Sequence, residues 1–308
     1  MTEKGNYQDY LEAKRRVDTR CMNRHVFAEF KRNLRGRADM EDGAVVLDLG
    51  TGTGLMLRKI ISLNPRGKTT LYGIDRNEEN CAAARALIER ELVESGYEIR
   101  SSGGSCAAKK GDARLTVTVI HGDFLDEPLP AVRDEACGFV TAHAVMDLVP
   151  LGKTIERVRA LLEPGGVFYA PINYDGVTTL LPPYGNGVFE NSLLALYNES
   201  MNRRSAGGEP TGGDRTGSGL YQELENRGFS ILGFGPSDWL VFPRNGSYPS
   251  SDRRFLRYIL HMIFKEGDRV KRKEGKRLRL WYERRLSDIE SGKLTLLTHQ
   301  TDIIARMK

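Results

Sequence analysis

The chain has 308 residues, 40% of them hydrophobic and 28% charged, the balance of an ordinary globular protein with enough apolar surface to fold without disulfides or metals. No apolar run approaches the roughly 20 residues of a membrane span, and the polar N-terminus argues against a secretion signal, so a cytoplasmic location and no membrane partner are expected. The net charge of +5 is mild, and the basic stretch Arg253 to Arg285 is interleaved with Glu266, Asp268, Glu274 and Glu283, as in a solvated face rather than a phosphate-tracking surface.

Residues 7–36 carry apolar side chains at helical intervals, with no Pro or Gly from Tyr10 and Leu11 through Phe27 and Phe30, and predict one helix. AVVLDLG (44–50) is a continuous apolar run, as in a parallel strand buried on both faces. A glycine turn leads to the helix LMLRKIISL, then the strand TTLYGID (69–75) and the helix EENCAAARALIERELVESG. Residues 98–113 read as a polar Gly/Ser-rich excursion before the strand LTVTVIHGD (115–123). GFVTAHAV (138–145) and VFYAPINY (167–174) are the fourth and fifth strands, with a helix between them. Residues 175–217 form an insertion containing a helix and a glycine-rich stretch. FSILGFG (229–235) and DWLVFP (238–243) lie two residues apart, which predicts a hairpin. Helices are expected over 251–266, 272–290 and 293–306.

The expected fold is α/β: a doubly wound, mostly parallel seven-stranded sheet with an antiparallel terminal hairpin and helical lid elements. Its divisions are an N-terminal helical lid (1–40), a Rossmann-like domain (41–243) with a cap insertion (175–217), and a C-terminal helical extension (244–308). Ligands of open α/β sheets sit beyond the carboxyl ends of the strands, so the lid should close there. Cys21, Cys81, Cys106 and Cys137 form no Cys-x-x-Cys pair, and the five histidines lack ligand spacing, so no metal site is expected.

The chemistry concentrates at the strand ends. Gly50, Gly52 and Gly54 allow a sharp turn and close ligand approach. A dinucleotide loop would place its third glycine at 55, where Leu stands; G-x-G-x-G behind Asp48 favours a nucleoside ligand without a pyrophosphate. Asp75, closing the second strand, can accept ribose hydroxyls or cap the following helix. Asp123 can accept an adenine amine with Phe124 against the ring, or simply form a turn.

These stretches together resemble a family. VVLDLGTGTG, LYGID, HGDFLD, AHAVMDLV and LLEPGGVFYA look like the successive motifs of class I (Rossmann-like) S-adenosylmethionine-dependent methyltransferases of the small-molecule type. YLEAKRRVDTRCMNRHVF looks like the opening helix of such enzymes, which closes over the cofactor. The resemblance implies S-adenosyl-L-methionine as cofactor. Asp48, Gly50, Thr51, Gly52 and Gly54 would surround its methionine part, Asp75 and Arg76 its ribose, and Gly122, Asp123 and Phe124 its adenine, with His143 at the sulfonium.

A sulfonium methyl is already activated, so such an enzyme mainly aligns its reactants and excludes water. A base is needed only where the acceptor has a proton to lose. His143 and Tyr174 are the catalytic candidates, with Asp147 and Asp175 behind them; Tyr174 and Asp175 could instead position an acceptor. Arg15, Asp18 and Asn23 could touch the cofactor carboxylate or the acceptor, or lie on a solvated face, and Arg215 could clamp an anionic acceptor. The expected partner is a small-molecule acceptor; nucleic acid or protein is the disfavoured alternative, and a non-catalytic cofactor-binding protein a third.

Overall fold

The structure, a computed structural model, describes residues 3–125, 129 and 137–308, with side chains from residue 8 onward. Asp126, which ends the HGDFLD stretch, lies outside them. The expected N-terminal helix is two, α1 (Glu3–Cys21) and α2 (Arg24–Ala38). The break has a cause: Asn23 takes an extended conformation and its Oδ1 accepts from the N–H groups of His25 and Val26, an N-cap that starts a new helix.

The centre is a parallel sheet of five strands that begins with β1 (Ala44–Leu49) and β2 (Lys68–Asp75). After β1 comes α3 (Leu55–Ser62), and after β2 comes α4 (Glu78–Glu94). Residues 98–113, expected to be irregular, form β3 (Glu98–Ser102) and β4 (Ser105–Lys110), paired antiparallel and then joined to β5 (Ala113–His121). Gly103 and Gly104, at φ +58° and +86°, make the two-residue turn whose left-handed pair matches strand twist. Then follow β6 (Cys137–Thr141), α5 (Leu151–Leu161) and β7 (Leu162–Leu181), much longer than the predicted 167–174.

The cap holds α6 (Val188–Asn202), the small strands β8 (Ser205–Ala206) and β9 (Glu209–Pro210), and α7 (Thr216–Asn226). Beyond it, β10 (Phe229–Pro236) and β11 (Trp239–Val241) do not form the expected hairpin. After α8 (Ser250–Val270) and α9 (Gly275–Glu290), the stretch expected as a helix over 293–306 is instead a strand, β12 (Thr295–Met307). Both β10 and β11 pair antiparallel with β12, which lies between β10 and β7. The C-terminal extension is therefore helical only as far as Glu290, and its end completes the sheet. Thr and Ile suit a pleated, two-sided environment, and filling the open edge between β7 and β10 decides the matter.

Among the described residues the sheet has ten strands, in the order β10-β12-β7-β6-β1-β2-β5-β4-β3 with β11 also on β12. Seven of these form the expected doubly wound core, with β12 as the antiparallel member. Apolar side chains alternate between two cores, Val46 on one face and Leu47 and Leu49 on the other. Helices α1, α6, α8 and α9 pack together as a group. Arg20 ties α1 to Asp252 of α8 at 2.9 Å. Buried Arg285 of α9 reaches Glu190 of α6 at 2.6 Å, and that carboxylate also accepts from Trp281 Nε1 and the Tyr184 N–H.

Candidate active site

A cavity of about 490 Å³ opens at the carboxyl ends of β1, β2, β5, β6 and β7, under α1 and α8. Of the residues singled out in the sequence, Gly50, Thr51, Gly52, Asp75, Arg76, Gly122, Asp123, Phe124, His143 and Tyr174 all line it. Asp48 and Gly54 do not. Gly54, at φ +77°, starts α3, and a Cβ there would come within 3.4 Å of Ala84 and closer to Ile88. Its absence of side chain serves helix packing. Gly50 is at φ +59°, and a Cβ on it would meet Val145 at 2.7 Å.

Asp48 lies under the loop, 1% exposed, with Oδ2 accepting from Thr51 Oγ1 at 2.7 Å and Oδ1 from Thr141 Oγ1 at 2.6 Å. Burial pushes its carboxyl up to about 7, against the two hydroxyl donors that favour the anion. It acts on the cavity through Thr51, which forms the wall.

Asp75 is not the cap of α4; Asn77 is, its Oδ1 accepting from the N–H groups of Glu79 and Asn80. Asp75 instead receives the Gly52 N–H on Oδ2 at 2.8 Å, and the Asn77 N–H and Asn80 Nδ2 on Oδ1. A carboxylate offers about four lone-pair sites, so one on Oδ2 is left for a ligand hydroxyl. Asp123 accepts the Leu125 N–H on Oδ1, the turn predicted as its alternative, and still borders the cavity. Phe124 is buried beside it, and Arg76 is exposed at the rim.

The other end of the cavity is where the sequence was least informative. Tyr10, Ile172, Met201, Trp239, Ile259 and Met262 give it an apolar and aromatic wall, with Arg204 and Gln300 as polar points. Tyr174 faces it too, but its hydroxyl donates to Asn198 Oδ1 at 2.6 Å and lies 3.1 Å from Thr178. Burial pushes that phenol above its ordinary value, which disfavours its ionised form. Asp147 is pushed up by burial and sits 3.5 Å from Arg204. Asp175 is spent on the Ser218 N–H and hydroxyl, and Arg215 packs on Gly176, both outside the cavity lining.

His143 stands between the two ends. Its Nε2 is 3.3 Å from Asp18 Oδ2, and the imidazole is 11% exposed. Burial pulls its pKa down to about 4, with Asp18 opposing and Lys14 and Lys59 adding to the fall. It is neutral at physiological pH. Asp18 does not lie on a solvated helix face, one of its two expected settings: it is 1% exposed and accepts from Lys14 Nζ at 2.5 Å and Trp239 Nε1 at 2.9 Å. Two non-glycine residues flank the site at positive φ, Ala144 at +52° and Ile172 at +61°. Strained backbone of this kind persists where surroundings over-determine it: the Ile172 N–H donates to buried Asp302 at 2.8 Å, and the Ala144 N–H to the Pro171 carbonyl at 3.0 Å.

Residues 22–200, more than half of the chain, match the family described as methyltransferase domain. Acetylserotonin O-methyltransferase of Mus musculus is 29% identical over 160 residues, covering 51% of this chain and 34% of the mouse protein. The chain thus spans about a third of the length of that relative. Among solved structures, a putative sarcosine dimethylglycine methyltransferase from Galdieria sulphuraria is 14% identical with a TM-score of 0.44, over 91% of this chain and 83% of that one. YjhP from E. coli is 15% identical with a TM-score of 0.45, over 97% of this chain and 99% of that one.

Proposed function

The chain belongs to the methyltransferase-domain family, and on that footing we propose that it uses S-adenosyl-L-methionine to methylate a hydroxyl of a small, largely apolar acceptor. One observation carries the reading: a single cavity joins the acidic strand ends to the apolar lid compartment, with His143 at the junction. Its volume, about 490 Å³, falls in the range of small-molecule sites.

The residues fit the cofactor. Asp75 keeps a lone pair for a ribose hydroxyl, and Asp123 has its Oδ2 for the adenine amine with Phe124 and Gly122 alongside. Gly50 and Gly52 leave room for the methionine part beside Thr51, and Arg15, whose Nε is held by Glu12, has its remaining N–H groups for the carboxylate. When bound, S-adenosylmethionine supplies a methyl already activated by the sulfonium.

The chain's own residues do the rest. The lid excludes water from the junction. With the cofactor bound, its sulfur–methyl bond would break as the acceptor oxygen took the methyl, S-adenosylhomocysteine would leave, and neutral His143 would take the hydroxyl proton. Tyr174, fixed by Asn198, orients the acceptor. Oxygen as the methylated atom is supported by the imidazole at the junction, a group able to take a hydroxyl proton, and by the O-methyl transfer named for the mouse relative. Cations of the C-terminal helices are largely paired within the chain, Arg257 with Glu290 and Arg269 with Glu266 among them. That favours a small acceptor over RNA. The four cysteines are unpaired, in keeping with a cytoplasmic, reducing setting.

The test is incubation with methyl-labelled S-adenosylmethionine and a panel of phenols and apolar alcohols, beside calorimetry with S-adenosylhomocysteine. Label in an ether product, lost in His143→Gln while cofactor affinity holds, is the expected result. No calorimetric binding of S-adenosylhomocysteine would overturn the reading.

A further inference from the structure

We propose that Asp18, on the lid helix α1, is the positioning residue that orients His143 and fixes which of its nitrogens takes the proton. This rests on the reading of His143 as the base. Of the imidazole nitrogens, Nε2 is sealed from solvent and has no aligned hydrogen-bond partner, and the nearest acidic oxygen is Asp18 Oδ2 at 3.3 Å. A carboxylate oxygen 3.3 Å away disfavours a lone pair on Nε2 and favours an N–H there, even without full alignment. Nε2 therefore carries the hydrogen, and Nδ1 offers its lone pair to the acceptor. When the acceptor O–H proton moves to Nδ1, the Nε2–H stays in place and the new imidazolium lies against the Asp18 anion. Atoms and charge balance with no further reactant.

The placement of Asp18 is itself held from two directions. Trp239 Nε1, in β11, donates to Oδ1 at 2.9 Å, and Lys14, one turn earlier in α1, donates to Oδ2 at 2.5 Å. Lys14 also lies 5.2 Å from the Trp239 ring centroid. The charged groups acting on His143 are thus Asp18 and Lys14 from α1 and Lys59 from α3, while Trp239 of β11 is neutral. Burial is the main force that disfavours the imidazolium, the two cations add to it, and Asp18 is the one charged group that opposes them. Because Asp18 belongs to the lid, the base is set only while α1 is docked on β11 and α8.

The experiment is long-range proton–nitrogen NMR on the full chain with labelled histidine, with S-adenosylhomocysteine added, the His143 signals being those lost in His143→Gln. The wild type should show the Nε2–H tautomer alone, and Asp18→Asn a mixture or the other tautomer. With any phenol turned over in the panel, Asp18→Asn should lower kcat by about 10- to 100-fold, less than the roughly 100- to 10,000-fold that a general base itself contributes, and change the KM for S-adenosylmethionine less than about twofold; Asp18→Glu should restore part of it. Should Asp18→Asn fail to fold, Trp239→Phe decides: without the indole donor that holds Asp18, the Nε2–H tautomer should lose population, and an unmoved tautomer would overturn the proposal. An Nδ1–H tautomer in the wild type, or a tautomer and rate unmoved in Asp18→Asn, would overturn the proposal while leaving His143 as base. Full activity in His143→Gln would instead remove the base reading, and the tautomer would still report on Asp18.

Discussion

Replacing Asp48 by Asn should change stability in a way that depends on pH, because burial holds the carboxyl at about 7 against an ordinary 3.8. A group with a raised folded value binds its proton more tightly in the folded chain. Its stability contribution is therefore fully present below 3.8 and is lost as pH rises toward about 7. At about 1.4 kcal/mol per unit, the loss is roughly 1.5–2 kcal/mol by pH 5 and about 4 kcal/mol by pH 8. Asn carries no such term. Its amide keeps one hydroxyl donor, and either Thr51 or Thr141 must turn to accept from the NH2 group, a pH-independent offset of about 1 kcal/mol. The stability of Asp48→Asn relative to wild type should thus rise by about 2–3 kcal/mol from pH 5 to pH 8. Urea unfolding followed by fluorescence of Trp239 and Trp281 at both pH values measures it. A difference flat within about 0.5 kcal/mol would mean that Asp48 titrates as in the unfolded chain, and the account of the loop's buried support would be wrong.

Three further perturbations test other parts of the molecule. Asp75→Ala should weaken S-adenosylhomocysteine binding by about 1.5–3 kcal/mol, since it removes charged hydrogen bonds and frees the Gly52 N–H; unchanged affinity by calorimetry would take Asp75 out of the site. Glu190→Ala strands the buried Arg285 guanidinium and should destabilise the protein by about 3–5 kcal/mol in denaturant titration. A cost under about 1 kcal/mol would show the lid ion pair to be solvated. Asn23→Ala removes the α2 cap and the bond from Nδ2 to the Pro236 carbonyl, at a cost of about 1–2 kcal/mol, visible as a lower melting temperature; an unchanged melting temperature would mean that the cap contributes nothing.

The sequence by itself determined what is local. A continuous apolar run made β1 a buried parallel strand, and the glycine spacing after it made the turn. Asp75, Asp123 and His143 were legible because chemistry in this architecture gathers at strand ends, wherever the helices lie. The hairpin of β3 and β4 was not read from the sequence, because the polar, Gly/Ser-rich composition of residues 98–113 resembles a loop and hides the Gly103-Gly104 turn. Only the tertiary structure decided the rest. Residues 295–307 suit a helix or a strand by pattern alone, and the open edge between β7 and β10 selects the strand. Asp18 is one polar position on an amphipathic helix until folding brings it against residues 143 and 239. Contacts at that separation depend on how the chain returns to itself, which hydrophobic periodicity does not encode, and the acceptor end of the cavity is built almost wholly from them.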